Sequence, residues 1–139
     1  MPRIMGLDVG EVRIGVAVSD PLGFFAQGIA VLSRRSEWLE RLAELVELYD
    51  VSKIVVGLPV RTSGLEGVEA RRMRRVVKLL RSRFPGLEIE VWDERFTTTI
   101  AERSLLEGDV SRLDRRKKID KVAASVMLQS FLDAKREGL

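Results

Sequence analysis

The chain has 139 residues, a formal net charge of +3 and neither cysteine nor histidine. Its length fits one compact domain over residues 1–139, and the missing residue types exclude disulfides, zinc–thiolate sites, Ser-His-Asp hydrolysis and histidine-ligated metals. Any bound metal must therefore be held mainly by oxygen, which favours Mg²⁺ or Mn²⁺.

Apolar runs predict five strands, and apolar residues at helical spacing predict four helices. Gly10 and Glu11 are expected to form a tight turn, and Ser36 is expected to cap the first helix. Thr99 and Glu102 form a capping-box pattern at the start of the third helix. In chain order, the strands are expected at 3–9, 12–19, 28–32, 53–57 and 87–92, and the helices at 36–49, 66–83, 99–106 and 115–135.

The order of these elements is β-β-β-α-β-α-β-α-α. A three-stranded meander followed by alternating strands and helices predicts an α/β fold with helices packed on a mixed five-stranded sheet, in the strand order 3-2-1-4-5. Residues 53–57 have the continuous apolar character of a parallel strand that is buried on both faces. No run approaches the roughly 20 apolar residues that a membrane span needs, so no membrane association is expected.

Asp8 lies inside an apolar strand, near its carboxyl end. By the period-two alternation of a strand, it shares one face with Ile4 and Gly6. A charge embedded there is costly unless it is paired or bound to a metal, which makes Asp8 a candidate metal ligand. The alternative is an Asx turn that leads into Gly10.

Asp120 begins a stripe on the last helix that is otherwise apolar. This pattern predicts that Asp120 points toward the core side and that two alanines let the helix approach the sheet closely. The alternative is an acidic residue in a first helical turn, where the helix dipole favours it. The apolar members of the stripe are Ala123, Ala124, Met127, Leu128 and Phe131.

Glu94 follows the fifth strand. If strands one, four and five are parallel, they finish at the same end of the sheet, where open α/β sheets bind ligands. The backbones of Asp8 and Glu94 would be roughly 10 Å apart, a gap that two metals about 4 Å apart could span. Asp8, Glu94 and Asp120 are therefore the predicted catalytic residues and metal ligands, a set suited to two-metal phosphodiester hydrolysis. Asp20 ends an antiparallel strand at the opposite end and is not expected to be a ligand.

Two basic clusters could bind phosphates with salt-dependent affinity, although charged helices are often only solvated faces. Arg13 and Arg95 are expected at the same end of the sheet as the carboxylates; the alternative for Arg95 is a structural pair with Asp93 or Glu102. The predicted nucleic-acid-binding residues are Arg13, Arg95, Arg116, Lys117 and Lys121. The clusters comprise Arg71, Arg72, Arg74, Arg75, Lys78 and Arg81 on the second helix, and Arg115, Arg116, Lys117, Lys118 and Lys121 on the last.

Aromatic residues make up only 6% of the chain, and none alternates with the basic clusters. Recognition of nucleic-acid backbone and shape is therefore favoured over base stacking. The loop from Pro59 to Gly67, which follows the fourth strand, is expected to become ordered when substrate binds.

Four sequence blocks occur in order over nearly the whole chain: Gly6–Gly10 with Arg13–Asp20, Val55–Pro59 with Gly64, Asp93–Thr98, and Asp120–Ala124 with Leu128–Asp133. Each block is weak by itself. Together they resemble the YqgF family, also called RuvX or Holliday-junction-resolvase-like.

This resemblance implies a ribonuclease-H-like fold, a bacterial cytoplasmic protein and a nuclease in 5′-end maturation of the 16S ribosomal RNA precursor. It also places the family's acidic triad on Asp8, Glu94 and Asp120. The expected partner is structured RNA, and the oligomeric state is open between a monomer and a weak dimer.

Three other functions are compatible with parts of the sequence. A resolvase acting on branched four-way DNA would cut two strands symmetrically, which favours a dimer, and no dimerisation stripe stands out. A phosphoryl-transfer enzyme of the actin and sugar-kinase type could use Asp8–Gly10 for phosphate binding, but this length suits one lobe rather than two. A non-catalytic RNA-binding domain would gain by losing the carboxylates.

Overall fold

The structure, a computed structural model, describes residues 2–58, 66–93 and 112–138, with side chains over 2–57, 71–92 and 120–138. The strands are β1 (Arg3–Val9), β2 (Arg13–Ser19), β3 (Ala26–Ser33), β4 (Val51–Leu58) and β5 (Glu88–Asp93), and the helices are α1 (Trp38–Leu48), α2 (Glu66–Arg83) and α3 (Arg112–Arg136). No helix in the described ranges is long and apolar enough to cross a membrane.

The periodicity of the sequence predicts most of these elements closely. The predicted bounds of α2 are those observed, whereas α3 begins earlier than predicted, at Arg112. β3 and β4 are longer than predicted because their ends continue to pair with neighbouring strands: Ala26 pairs with Ser19, and Leu58 pairs with Asp93. The predicted helix at 99–106 lies outside the described residues.

The start of α1 corrects one prediction. The residue that precedes its first turn is Glu37, and no side chain caps the helix there. Ser36 instead belongs to the preceding turn, where its hydroxyl donates to the carbonyl of Ser33 at 3.3 Å. Burial of Trp38 and Leu42 against the core therefore stabilises this helix more than any cap does.

The sheet has the predicted strand order, β3-β2-β1-β4-β5. β2 is antiparallel to β1 and to β3, whereas β4 is parallel to β1 and to β5. As a result, β1, β4 and β5 all finish at one end of the sheet, and β2 begins there at Arg13. We call this the carboxyl end of the sheet, and the opposite one, where β2 finishes at Ser19, the amino end.

One face of the sheet is covered closely by α3. Three strand residues without side chains make this approach possible: Gly6 on β1, Gly15 on β2 and Gly28 on β3. A Cβ atom added to Gly15 would lie 2.1 Å from the carbonyl oxygen of Asp120, and one added to Gly28 would lie 2.7 Å from that of Lys121. Ala123 and Ala124 are buried, as the close approach predicted from them requires.

The opposite face carries α1 and α2 over a larger core. The apolar side of α2 is buried against the sheet through Met73, Val76, Val77 and Leu80. β4 is buried on both faces, as its apolar run predicts, since Ile54 and Val56 join this core while Val55 joins the one beneath α3. The sheet is therefore covered by α3 on one face and by α1 and α2 on the other.

Candidate active site

Asp8 lies near the carboxyl end of β1 and pairs directly with Gly15 of β2. Side chains of directly paired residues in antiparallel strands project from the same face of the sheet. Since Gly15 contacts the backbone of α3 at Asp120, Asp8 projects from the face on which Asp120 lies. The fold thus brings these two predicted site residues together from distant parts of the sequence.

Asp120 is held by Arg13. The Nε of Arg13 donates to Oδ2 of Asp120 at 2.6 Å, and the two side chains are 30% and 23% exposed. The limited exposure of Asp120 agrees with its predicted orientation away from bulk solvent. This short, charge-assisted bond joins the start of β2 to α3 at the carboxyl end of the sheet.

Sequence reasoning placed both Arg13 and Asp120 in the site but missed that they pair. The sequence carries only part of the signal for this pair, because the close approach of α3 to Gly15 is a tertiary contact. Arg13 and Gly15 are two residues apart on one strand and so share a face, and Gly15 is the residue that lets α3 approach.

The remaining predicted site residues are only partly described. Glu94 and Arg95 lie outside the described residues, as does most of the 59–67 loop. The described chain reaches the carboxyl end of the sheet at Asp93, where β5 pairs with the last residue of β4. Arg116 and Lys117 lie within α3, but their side chains fall outside the described part. Lys121 is exposed on α3, next to Asp120.

The chemistry of the site is that of oxygen donors. Asp8 and Asp120 can each offer carboxylate oxygens, which suit a hard divalent cation. Among the residues that the structure describes, no group of three or more acidic side chains lies close enough to hold a metal. The two described carboxylates therefore fit part of a metal site, and the third predicted ligand, Glu94, falls outside the described ranges.

Asp20 has a different role, in keeping with its exclusion from the predicted ligands. It lies at the amino end of the sheet, where Oδ1 accepts hydrogen bonds from the backbone N–H groups of Phe24 at 2.7 Å and Phe25 at 2.9 Å. Hydrogen bonding from Phe25, and then from Phe24, lowers the pKa of the Asp20 carboxyl group. This carboxylate therefore closes the turn between β2 and β3.

A group of basic residues on the other face also reaches the carboxyl end of the sheet. Arg34, which follows β3, donates from Nη1 to the carbonyl of Gly10 at 3.2 Å. Burial lowers the pKa of its guanidinium, and the nearby charges of Arg72 and Arg75 lower it further. We call this group the α2 basic cluster; its members are Arg34, Arg71, Arg72, Arg74, Arg75 and Lys78.

The fold resembles that of structurally characterised resolvases. Fowlpox virus resolvase, solved with its Holliday junction substrate, superposes with a TM-score of 0.57 at 15% identity, covering 96% of this chain and 98% of that one. Thermus thermophilus RuvC, also solved with a Holliday junction, gives a TM-score of 0.57 at 13% identity, covering 98% and 96%. The class of fold is therefore ribonuclease-H-like.

Sequence comparison identifies the family. A model described as "RuvX: Holliday junction resolvase" matches residues 2–134. A Listeria innocua protein named "Putative pre-16S rRNA nuclease" is 49% identical over 135 residues, covering 94% of this chain and 97% of that protein. A Pelotomaculum thermopropionicum protein of the same name is 50% identical, covering 95% and 87%. The chain belongs to the RuvX family and is a hydrolase that cleaves phosphodiester bonds.

Proposed function

We propose that this protein is a divalent-metal-dependent endonuclease that matures the 5′ end of 16S ribosomal RNA from its precursor. The observation that carries the proposal is that Asp8 and Asp120 both lie next to Gly15 at the carboxyl end of the sheet: Asp8 pairs with it, and the backbone of Asp120 packs against it. The relatives named for pre-16S rRNA support this substrate, because they match nearly the whole chain.

Asp8, Glu94 and Asp120 are the proposed ligands of Mg²⁺ or Mn²⁺. Bound there, the metal would activate a water molecule and stabilise the leaving oxygen. Asp8 contributes from a strand and Asp120 from a helix packed on glycine, so their separation is set by rigid elements. Arg13 orients Asp120 before the metal binds and is then close enough to contact a phosphate. Arg95, Arg116, Lys117 and Lys121 are the further proposed contacts to the RNA backbone.

The protein is proposed to act as one domain over residues 1–139, as a monomer or weak dimer, in the cytoplasm where ribosomal RNA is processed. The family description favours one alternative substrate, a four-way DNA junction. A resolvase needs two active sites related by symmetry to cut both strands. Ribosomal RNA is the preferred substrate because two relatives that are 49% and 50% identical to this chain are named for it.

The test compares cleavage of a 5′-labelled 16S precursor RNA and a synthetic four-way junction, each with Mg²⁺, Mn²⁺ or EDTA. Asp8→Asn should abolish cleavage while the fold is kept, and its melting temperature should stay the same or rise because repulsion between carboxylates falls. Asp20→Asn is the matched control, since it changes the same residue type at the opposite end of the sheet, and it should cleave at the parent rate.

Two results would count against the proposal in different ways. Undiminished cleavage by Asp8→Asn would show that the carboxylates do not perform the reaction. Symmetric cutting of the junction by the parent protein, with the precursor RNA left intact, would identify branched DNA as the substrate instead.

A further inference from the structure

α2 presents two opposite stripes. Met73, Val76, Val77 and Leu80 are buried against the sheet. The other stripe contains four basic residues that line a concavity with a volume of about 490 Å³: Arg71, Arg74, Arg75 and Lys78. This spacing of three, four and seven residues places all four basic side chains along one side of the helix. The concavity is therefore a continuous cationic surface.

Arg34 connects this surface to the candidate active site. It holds the carbonyl of Gly10, which follows Asp8 and Val9 at the end of β1, while the preceding residue, Ser33, pairs with Arg13. On its other side it is close enough to Arg72 and Arg75 for their charges to act on its guanidinium. Basic side chains thus extend from the carboxyl end of the sheet onto the outer side of α2.

Four basic residues of the α2 basic cluster, other than Arg34 and Arg71, have no carboxylate partner in the described part of the chain. Among the described residues, no ion pair involves Arg72, Arg74, Arg75 or Lys78. By contrast, at the far end of the same helix, the Nε of Arg83 lies 3.4 Å from Oε1 of Glu40. Like charges at positions three and four apart repel one another. A bound polyanion would relieve that repulsion, and among the described residues those four have no ion pair that it would displace.

We propose that the α2 basic cluster is a second nucleic-acid contact surface, which binds the phosphate backbone of the substrate away from the cleaved bond. This inference rests on the proposed function in one respect, the nucleic acid substrate. The side chains that line the concavity carry charge and no aromatic ring, so the surface binds backbone phosphates rather than stacked bases. Substrate would then be held at two places, with the reacting phosphate at the carboxyl end of the sheet.

The test measures binding of the full chain to a fluorescent RNA hairpin and, in parallel, to a DNA duplex, in EDTA so that cleavage does not interfere. Arg75→Gln/Lys78→Gln removes one arginine and one lysine from the cluster. Lys135→Gln/Arg136→Gln is the matched control, because it removes the same residue types and charge from the end of α3, where both side chains already lie near carboxylates. Each variant is titrated between about 50 and 200 mM salt, where phosphate contacts dominate the change in affinity.

The α2 variant should bind about tenfold or more weakly at 0.1 M salt, and its salt dependence should flatten by about one unit of slope per lost phosphate contact. The control should bind as the parent does. The affinity of the α2 variant is compared for the two probes. The probe whose binding is weakened more, RNA or DNA, has the backbone that this surface prefers. Melting curves check the fold, and the α2 variant should be no less stable because it loses like-charge neighbours.

Equal loss of affinity in both double variants, or no loss in the α2 variant, would overturn the proposal. Its failure is separable from that of the proposed function. The binding result is obtained in EDTA, without catalysis, so it does not depend on whether the protein cleaves RNA. A parent protein that binds through the cluster but cleaves nothing would contradict the nuclease assignment only.

Discussion

Asp20 and Asp120 lie at opposite ends of the sheet, and their carboxylates are satisfied in different ways. At the amino end, Asp20 accepts hydrogen bonds from backbone N–H groups four and five residues further along the chain. At the carboxyl end, Asp120 accepts a hydrogen bond from the side chain of Arg13, 107 residues away in sequence.

This difference separates a structural carboxylate from one that can change partners. The backbone donors to Asp20 are fixed by the turn, so they cannot leave without unfolding it. The guanidinium of Arg13 is on a flexible side chain that is partly exposed to water. If Asp120 binds a metal ion as proposed, it can exchange Arg13 for that ion with little change in the fold, and Asp20 has no comparable freedom.

The largest effect is expected from Gly15→Ala, which disrupts the packing of α3 on β2 and so the position of Asp120. The added methyl would meet the backbone of α3, with 2.1 Å to the carbonyl oxygen and 2.8 Å to the carbonyl carbon of Asp120. Backbone cannot rotate away as a side chain can, so α3 must shift. We expect a loss of about 1–3 kcal/mol in the free energy of unfolding and about a 100-fold fall in cleavage, because the carboxylates separate.

Gly86→Ala is the matched control for that change. Gly86 lies in the turn after α2, and apart from Gly86 itself and its two chain neighbours, no described atom lies within 4 Å of the position that its Cβ would take. The same substitution there should leave both the denaturant midpoint and the cleavage rate unchanged. If Gly15→Ala behaved like Gly86→Ala, the close packing of α3 against Gly15 would not be what positions Asp120 for cleavage.

A smaller effect is expected from Arg13→Gln, which removes the exchangeable partner of Asp120. If Asp120 binds the metal as proposed, losing a neighbouring cation should strengthen Mn²⁺ binding by about two- to fivefold, the value of a partly exposed ion pair. Cleavage at saturating RNA should fall, because the guanidinium no longer orients Asp120 or contacts phosphate. Mn²⁺ affinity is measured by electron paramagnetic resonance or calorimetry.

Arg13→Lys is the control for the Arg13→Gln experiment, because it keeps the charge and loses only the geometry of the guanidinium. Its Mn²⁺ affinity should match that of the parent. Weaker Mn²⁺ binding in Arg13→Gln than in Arg13→Lys would show that Arg13 supports the metal site instead of competing for Asp120.

The sequence predicts the strand order and α2 because both depend on long, regular patterns. It also indicates Asp8 and Asp120 as candidate site residues, because a single sequence is enough to show a charged residue within an otherwise apolar pattern. Three features were beyond it for physical reasons. The Arg13–Asp120 bond depends on how closely α3 approaches Gly15. The proximity of Arg34 to α2 depends on how a short turn folds. The capping role predicted for Ser36 is wrong because its hydroxyl binds the Ser33 carbonyl within the preceding turn.

The smallest effect, and the sharpest check on the difference between the two carboxylates, is expected from Asp20→Ala. Backbone hydrogen bonding holds the pKa of Asp20 below its ordinary value in the folded protein, so its ionised form stabilises the fold. That contribution is complete above the unfolded-state pKa of about 4 and is lost as the pH falls through the lower, folded-state value. Asp20→Ala should therefore melt below the parent at neutral pH, and the gap should close in acid. Glu47→Ala removes an equal charge from the exposed side of α1 and should show no such gap. A difference between Asp20→Ala and the parent that stays constant from neutral pH to pH about 2 would mean that the turn does not depend on the ionised carboxylate. Cleavage by Asp20→Ala should equal that of the parent, since the change lies at the far end of the sheet from Asp8.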